Sequence, residues 1–187
     1  MKVFINPGHD LDYDSGAVNA DGTRECDIAA EIGARVKMYL EAVGIECTLM
    51  QSDNLAPTYA GRSEYPDRQG ETVTECANNW GADLFISIHC NAANGNARGT
   101  EVEIYQSGGA SELLAHCIQD QIVNSLGTID RGVKEMLQLL VLRYTDMPAV
   151  LVETAFIDND DDCALLKDRT DEFARAIARG VTDYQQA

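Results

Sequence analysis

Two of the chain's three histidines stand where predicted β-strands end. His9 follows one short apolar segment, and His89 follows the apolar run LFISI. Glu153 ends a third apolar segment, and Glu25 stands at the start of a predicted helix. Ligands of open parallel sheets bind beyond the carboxyl ends of the strands. We therefore expect these four side chains to meet at one edge of a sheet.

Together these side chains form a donor set that suits zinc. Two imidazoles and one carboxylate are a three-ligand set for a catalytic zinc ion, with one position left open for water. A second carboxylate beside such a site serves as the general base of metal-assisted hydrolysis. An apolar strand that ends in Glu153 also favours a functional role, because an unpaired buried carboxylate is costly and a nearby cation would offset that cost.

Each residue also has a structural interpretation when it is taken alone. Acidic residues favour the first turn of a helix, which accounts for Glu25, and His9 or His89 could simply end a strand. Convergence at one edge favours the functional interpretation. The remaining histidine, His116, has largely polar helical neighbours and is interpreted as a surface residue. Cys90 should point to the side of its strand opposite His89, so it is not proposed as a ligand.

An acidic run at 158–162 suggests calcium at first sight. The run lacks the spaced ligands and the closing glutamate of an EF-hand loop. We therefore interpret it as a solvated approach to a helix.

Strand-like and helix-like segments alternate along the chain, which predicts a parallel sheet covered by helices. Strands are predicted at 2–6, 45–50, 84–88, 100–105, 138–143 and 148–152. Helices are predicted at about 25–43, in a short segment after 73, at 111–126 and from about 170 onward. The fold class is therefore α/β, a single domain with a mostly parallel twisted sheet of about six strands and helices on both faces. The long polar segment at 52–70 is expected to be functional or mobile.

Charge and hydropathy exclude several kinds of partner. The 187 residues include 14 Lys and Arg against 31 Asp and Glu, a net charge of −17. This surplus of acid argues against nucleic acid and anionic lipid as main partners. No apolar run approaches the length of a transmembrane helix, and the first residues lack the layout of a signal peptide.

The 6 cysteines lack zinc-knuckle and redox spacings, which predicts reduced residues, with a disulfide as the alternative.

Several blocks of the sequence together resemble one enzyme family. They are NPGHD at 6–10, DSGAV at 14–18, Glu25, ANNWGADLFISIHCNA at 77–92, GTEVEIY at 99–105, RGVKEM at 131–136, VLR at 141–143 and PAVLVETAFIDND at 148–160. In this order, over nearly the whole chain, they resemble the zinc-dependent N-acetylmuramoyl-L-alanine amidases of the type 3 class. That family occurs among bacterial cell-wall hydrolases, including autolysins, and phage endolysins.

The resemblance implies one amidase catalytic domain over residues 1–187. It implies one Zn²⁺ ion bound by His9, Glu25 and His89, with Glu153 as the catalytic carboxylate. The implied substrate is peptidoglycan, cut at the amide between the lactyl group of N-acetylmuramic acid and the L-alanine of the stem peptide. The enzyme would act at the cell wall, either as a secreted or periplasmic protein or as a phage lysin released from the host cytoplasm.

Some features depart from the family pattern. Asn6 stands where the family often has an aspartate. The segment at 52–70 is longer than the family's usual arginine-containing stretch, so Arg62 and Arg68 receive no role. The short stretch between His89 and Glu153 leaves no room for the autoinhibitory helical insertion of division-type members, which predicts an open site.

Other functions share parts of this pattern. A zinc peptidase acting within peptides would need the same ligands, and a non-catalytic wall-binding homologue could keep the fold. A flavodoxin-like nucleotide binder is remote, because the loop after the first strand has neither G-x-G-x-x-G nor G-K-[ST]. The −17 charge predicts weak affinity for polyanionic walls, so a wall-targeting module or partner is expected to compensate.

Overall fold

A six-stranded sheet lies at the centre of the computed structural model, which describes residues 1–57 and 70–187. The strands are β1 (Lys2–Pro7), β2 (Glu46–Leu49), β3 (Leu84–Asn91), β4 (Thr100–Ile104), β5 (Asp130–Glu135) and β6 (Ala149–Phe156). Their order across the sheet is β2-β1-β3-β6-β4-β5. β4 runs antiparallel to β6, whereas the other strand pairs are parallel. The predicted mostly parallel α/β sheet is confirmed.

Helices cover both faces of this sheet, as predicted. They are α1 (Glu25–Ala42), α2 (Val73–Trp80), α3 (Ala110–Leu126), α4 (Leu140–Arg143), α5 (Asp160–Asp168) and α6 (Thr170–Gln186). The larger core cluster joins α1, α3, α5 and α6 to the sheet face that carries Ile5, Ile86 and Val152. The smaller core cluster joins α2 and α4 to the opposite face, which carries Phe4 and Phe85.

The pleat of the strands decides which side chains reach the face of α2 and α4. Successive side chains of a strand point to opposite faces. His89 therefore shares a face with Phe85, and Glu153 shares that face with Leu151. Cys90 belongs to the larger cluster on the other face, as the alternation predicts. His89 and Glu153 are also direct partners in the register of β3 and β6, so the two candidate residues stand side by side.

The strand predicted at 138–143 is wrong. This segment contains α4, a single helical turn, and the sheet is completed instead by β5. The apolar residues Val141 and Leu142 are buried against the smaller cluster from that turn. β5 shows no apolar alternation because it is an edge strand with half-exposed and exposed residues. A short apolar run does not by itself distinguish a strand from a buried helical turn.

The acidic run at 158–162 leads into α5. Asn159 caps this helix, since its side chain accepts hydrogen bonds from backbone N–H groups of the first turn. Asp162 is only 3% exposed and accepts hydrogen bonds from the backbone N–H groups of Gly99, at 2.9 Å, and Phe156, at 3.1 Å. The predicted helix approach is therefore present, but its solvated character is wrong for Asp162, which ties the start of β4 to the end of β6.

Between β3 and β6 the chain forms β4, α3, β5 and α4. Of these helices, α3 packs on the sheet face away from His89 and Glu153. This part of the chain contains no further helical insertion, in agreement with the sequence-based expectation.

Among the described residues, no helix combines the length and apolar character that crossing a bilayer requires.

The cysteines all carry free thiols, and Cys26, Cys47, Cys90 and Cys163 are buried. Burial raises the pKa of the Cys47 thiol to about 11. The alternative of a disulfide is therefore not realised. Most of the polar segment at 52–70, with Arg62 and Arg68, lies outside the described residues.

Candidate metal centre

The backbone at the end of β1 places His9 at the sheet edge. The N–H of Gly8 donates to the carbonyl of Ile88 on β3 at 2.8 Å, which extends the strand pairing up to the histidine. His9 then adopts a φ of 61°, a left-handed conformation that disfavours residues with a Cβ. Within the described part of the chain it is the only non-glycine residue with a positive φ. Strain of this kind persists where the surrounding structure enforces it and is concentrated at functional sites.

Backbone groups hold both oxygens of the Glu25 carboxylate. Glu25 is the first residue of α1 and is 4% exposed. Its Oε2 accepts a hydrogen bond from the N–H of Ala17 at 2.9 Å, and its Oε1 accepts one from the N–H of Cys90 at 3.0 Å. A role in complementing the helix dipole accounts for the position of Glu25 in the first turn. It does not account for a buried carboxylate that links the loop after β1 to β3.

His9, Glu25 and His89 come together at this point. The Nε2 of His9 lies 3.0 Å from Oε2 of Glu25, and the Nδ1 of His89 lies 3.0 Å from Oε1. The two imidazole rings are 5.0 Å apart at their centroids and 73° from parallel. One ligand atom from each residue can be chosen so that all three lie within 4.8 Å of one another. Two imidazoles and a carboxylate at this separation can hold one metal ion.

Asp14 orients the ring of His9. Its Oδ2 lies 2.9 Å from Nδ1 of His9, and its Oδ1 accepts a hydrogen bond from the N–H of Gly16 at 3.0 Å. A carboxylate on one ring nitrogen fixes the tautomer and directs the other nitrogen toward a metal. The Nε2 of His9 is thereby left as the ligand atom.

Two glycines let the backbone approach the imidazole rings closely. A Cβ at Gly8 would lie 2.2 Å from Cε1 of His89, and one at Gly16 would lie 2.5 Å from Cδ2 of His9. Gly16 also has a φ of 63°, which favours glycine independently of space. Neither position can accept a side chain without displacing a candidate ligand.

The charges of the centre are coupled. Burial acts to lower the pKa of His9, but its hydrogen bonds to Glu25 and Asp14 and their negative charges outweigh burial and raise that pKa to about 9. Burial likewise acts to raise the pKa of Glu25, yet the hydrogen bonds to His89 and His9 hold it far below its usual range. Glu25 is therefore ionised at physiological pH and presents a fixed negative charge to a cation.

Glu153 lies beside this cluster without joining it. Its Oε2 is buried and has no hydrogen-bond partner among the described residues. Burial, followed by the charges of Glu25, Glu103 and Glu101, raises the pKa of Glu153 well above its ordinary value. The cation expected to offset the burial of Glu153 is not found among the described side chains. A buried carboxylate with a raised pKa and no described partner is well placed to exchange a proton.

The sequence patterns did not identify three further acidic residues near the centre, namely Asp14, Glu101 and Glu103. Glu101 and Glu103 alternate within TEVEIY, so both point to the same face of β4, and each is 5% exposed. Two glutamates at alternate positions of a buried strand could have indicated a functional site, because burying a carboxylate costs free energy unless it is paired. Asp14 carried no comparable signal, since its contact with His9 depends on the path of the loop.

Replacing Glu103 by glutamine is expected to stabilise the fold at neutral and alkaline pH. Burial and the charge of Glu101 raise the pKa of Glu103 from 4.5 to about 7, although Lys134 opposes the shift. This folded-state pKa lies above the unfolded value. Below pH 4.5 the carboxyl of Glu103 is neutral and does not lower the free energy of unfolding. As the pH rises from 4.5 toward about 7, the free energy of unfolding falls, because the buried carboxyl must then lose its proton. The full loss corresponds to about 3 kcal/mol, at about 1.4 kcal/mol for each pKa unit.

Urea unfolding of metal-free protein between about pH 4 and about pH 8 measures this effect. The stability of Glu103→Gln relative to wild type should rise across that interval by about 3 kcal/mol. Glu46→Gln on β2 is the matched control, because Glu46 is exposed, and its difference from wild type should stay constant. A difference for Glu103→Gln that is also independent of pH would contradict the expectation.

Comparison with known proteins agrees with this fold. A family model described as N-acetylmuramoyl-L-alanine amidase matches residues 3–183. The chain is 37% identical to the N-acetylmuramoyl-L-alanine amidase LytC of Bacillus subtilis over 187 residues, which is 97% of this chain and 35% of LytC. It therefore spans about a third of the length of that relative.

Solved structures show the same fold. The N-acetylmuramoyl-L-alanine amidase AmiC2 of Nostoc punctiforme is 30% identical, with a TM-score of 0.83 over 100% of this chain and 98% of AmiC2. The catalytic domain of CwlV, an N-acetylmuramoyl-L-alanine amidase from Bacillus (Paenibacillus) polymyxa, is 29% identical, with a TM-score of 0.82 over 99% of this chain and 98% of that domain. The chain belongs to the N-acetylmuramoyl-L-alanine amidase family.

Proposed function

We propose that this chain is a zinc-dependent hydrolase that cuts the amide between the lactyl group of N-acetylmuramic acid and the L-alanine of the peptidoglycan stem peptide. The observation that carries the proposal is the meeting of His9, Glu25 and His89 beside Glu153, whose buried Oε2 has no hydrogen-bond partner among the described residues. Ligands for one ion and a neighbouring general base are the groups that hydrolysis of a stable amide needs. Membership of the amidase family supports the choice of bond.

One Zn²⁺ ion fits the donors of the cluster. His9, Glu25 and His89 would hold it, and Asp14 would keep His9 in the required tautomer. Imidazole nitrogens with one carboxylate are typical ligands of catalytic zinc, whereas calcium and magnesium prefer oxygen ligands throughout. When bound, the ion supplies Lewis acidity, which polarises the scissile carbonyl and lowers the pKa of the attacking water.

Replacing Asp14 by alanine is expected to weaken zinc binding about 10-fold to 100-fold, because His9 loses the partner of its second ring nitrogen. Competition with a chromogenic chelator measures the affinity directly, without any assay of activity. Asp12→Ala is the matched control, since Asp12 is an exposed aspartate on the same loop. Equal zinc affinity in the two variants would show that Asp14 has no part in the centre.

Glu153 acts as the general base and then as the general acid. Its ionised carboxylate accepts a proton from the attacking water, and burial, which raises the pKa of Glu153, strengthens it as a base. The same carboxyl then donates the proton to the departing amine of L-alanine. A carboxylate already engaged in a salt bridge would do this poorly, and Glu153 has no such partner among the described residues.

Mass spectrometry of digested muropeptides tests the proposal. The expected products are intact stem peptides with a free L-alanine amine and sugar chains with a free lactyl carboxylate, formed with zinc and absent with a chelator. Cuts within the stem peptide would identify a zinc peptidase instead. Failure of the zinc-loaded chain to cut anything would favour a non-catalytic wall-binding protein.

The proposed place of action is the cell wall. This agrees with relatives such as the endolysin of Bacillus phage SPP1, which is 37% identical over 95% of this chain. The strongly acidic composition supports a need for a wall-targeting module or partner, because a chain of net charge −17 is repelled by a polyanionic wall.

A further inference from the structure

Two cations of the edge strand β5 converge on one carboxylate of β4. The Nε of Arg131 donates to Oε2 of Glu101 at 2.6 Å, and the Nζ of Lys134 forms an ion pair with the same oxygen. Glu101 is also the register partner of Glu153 on β6. Neighbouring strands lie about 4.8 Å apart, so the backbone of this cationic pair runs about 10 Å from that of the proposed catalytic residue.

An irregularity in β5 is what brings both cations to the same face. Residues three apart on a regular strand point to opposite faces. The register of β4 and β5 shifts between Thr100 and Val102, and Gly132 adopts a φ of 78° at this point. Val133 packs against the larger core cluster, while Arg131 and Lys134 both reach Glu101. A bulge of this kind re-aims a side chain and is over-represented beside active sites.

The guanidinium of Arg131 is held in one orientation, but only one of its three nitrogens is hydrogen-bonded within the described residues. Its guanidinium carbon lies 4.7 Å above the ring of Phe156, and its side chain is 32% exposed. Only Nε has a hydrogen-bond partner among the described residues, so the four N–H donors on Nη1 and Nη2 have none there. A planar arginine held by stacking and by one ion pair is well prepared to bind a carboxylate in two-pronged fashion.

The ion-paired group of Arg131, Lys134 and Glu101 carries a net positive charge, although the chain as a whole is strongly negative. Two cations against the single carboxylate of Glu101 leave a net charge of about +1. The ratio of cations to carboxylates is reversed at two other ion-paired groups. Arg98 alone contacts two aspartates, and Arg35 alone contacts two acidic residues. Glu103, the neighbour of Lys134 in the register, would cancel the charge if it were ionised. Its pKa of about 7 keeps it largely neutral in mildly acidic solution.

We propose that Arg131 and Lys134 bind a free carboxylate of the substrate's stem peptide and so determine which stems the enzyme prefers. This inference rests on the proposed function, because it assumes a peptide extending from the scissile amide at Glu153. Stem peptides carry free carboxylates beyond L-alanine, and amidation removes their charge. An extended peptide advances at most about 3.5 Å per residue, so a carboxylate of the second or third stem residue can span the distance of about 10 Å.

The test uses two synthetic muramoyl tripeptides that differ only in whether the carboxyl groups beyond L-alanine are free or amidated. For wild type, kcat/KM should be about 10-fold higher with the free carboxylates, the size expected for a charged hydrogen-bonded pair. Arg131→Gln should lose about 10-fold on the free substrate, mainly through KM, and should leave the amidated substrate nearly unchanged. Arg131→Lys should recover part of the loss, because it restores charge without the fork.

Arg175→Gln is the matched control. Arg175 is an exposed arginine on α6, which packs on the other face of the sheet, so this variant should behave as wild type on both substrates. Equal losses on both substrates in Arg131→Gln would overturn the inference, because they would show that Arg131 only supports Glu101. Lys134→Gln serves the same comparison should Arg131→Gln fail to fold.

A binding measurement separates this inference from the proposed function. Calorimetric titration of the zinc-loaded chain with the free and amidated stem peptides reports recognition without turnover. Binding of the free form about 10-fold more tightly, lost in Arg131→Gln, supports the inference even if the muramoyl amide is not cut. Equal binding of both forms, together with normal cleavage of the amide, would overturn the inference and leave the proposed function standing.

Discussion

Replacing Glu153 by glutamine is expected to lower kcat for amide hydrolysis by about 10²–10⁴-fold, the usual contribution of a positioned general acid–base group. Glutamine has nearly the same shape but can neither accept the proton of the attacking water nor return it to the amine. Zinc should remain at one ion per chain, because the ligands are proposed to be His9, Glu25 and His89. KM should change little, since the lost interaction is made in the transition state.

Parallel measurements of zinc content and steady-state kinetics decide this prediction. Glu46→Gln is the matched control for charge, because Glu46 lies exposed on β2, and it should retain wild-type kcat. Near-normal turnover in Glu153→Gln would show that another group carries the proton. Loss of zinc in Glu153→Gln would instead show that Glu153 is itself a ligand.

Replacing His9 by alanine is expected to abolish stoichiometric zinc binding and to reduce hydrolysis to background. The variant leaves only one imidazole and the Glu25 carboxylate in the cluster, too few ligands for a stable site. It should also lose the stabilisation that zinc gives to the folded state. That stabilisation is about 2.7 kcal/mol when free zinc is about 100 times its Kd.

Atomic emission spectroscopy of zinc and thermal unfolding with and without the metal measure both consequences. His116→Ala is the matched control, because His116 is an exposed histidine on α3, as its polar neighbours predict. It should keep one zinc per chain and the zinc-dependent rise in Tm. One zinc per chain in His9→Ala would mean that the ion occupies a different site.

The buried elements were predictable, because burial leaves a pattern in the sequence. β1, β3 and β6 read as apolar runs since helices cover them on both faces. α1 and α6 show helical spacing because one side of each faces the larger core cluster. The sequence does not predict β5, because an edge strand has little apolar surface to bury and its polar residues resemble those of a loop.

The residue types that could do the chemistry, and the strand and helix ends at which they stand, can be read from the amino-acid sequence. How these residues meet depends on the folded chain. The packing of the loop and strands produces the left-handed turn at His9 and brings Asp14 to the His9 ring. It also buries Glu153 Oε2 without a hydrogen-bond partner among the described residues. The bulge at Gly132 likewise turns Arg131 toward Glu101, against the alternation that its spacing predicts. The physical reason is that periodicity records which side of an element is buried, whereas a site depends on contacts between residues far apart in the chain.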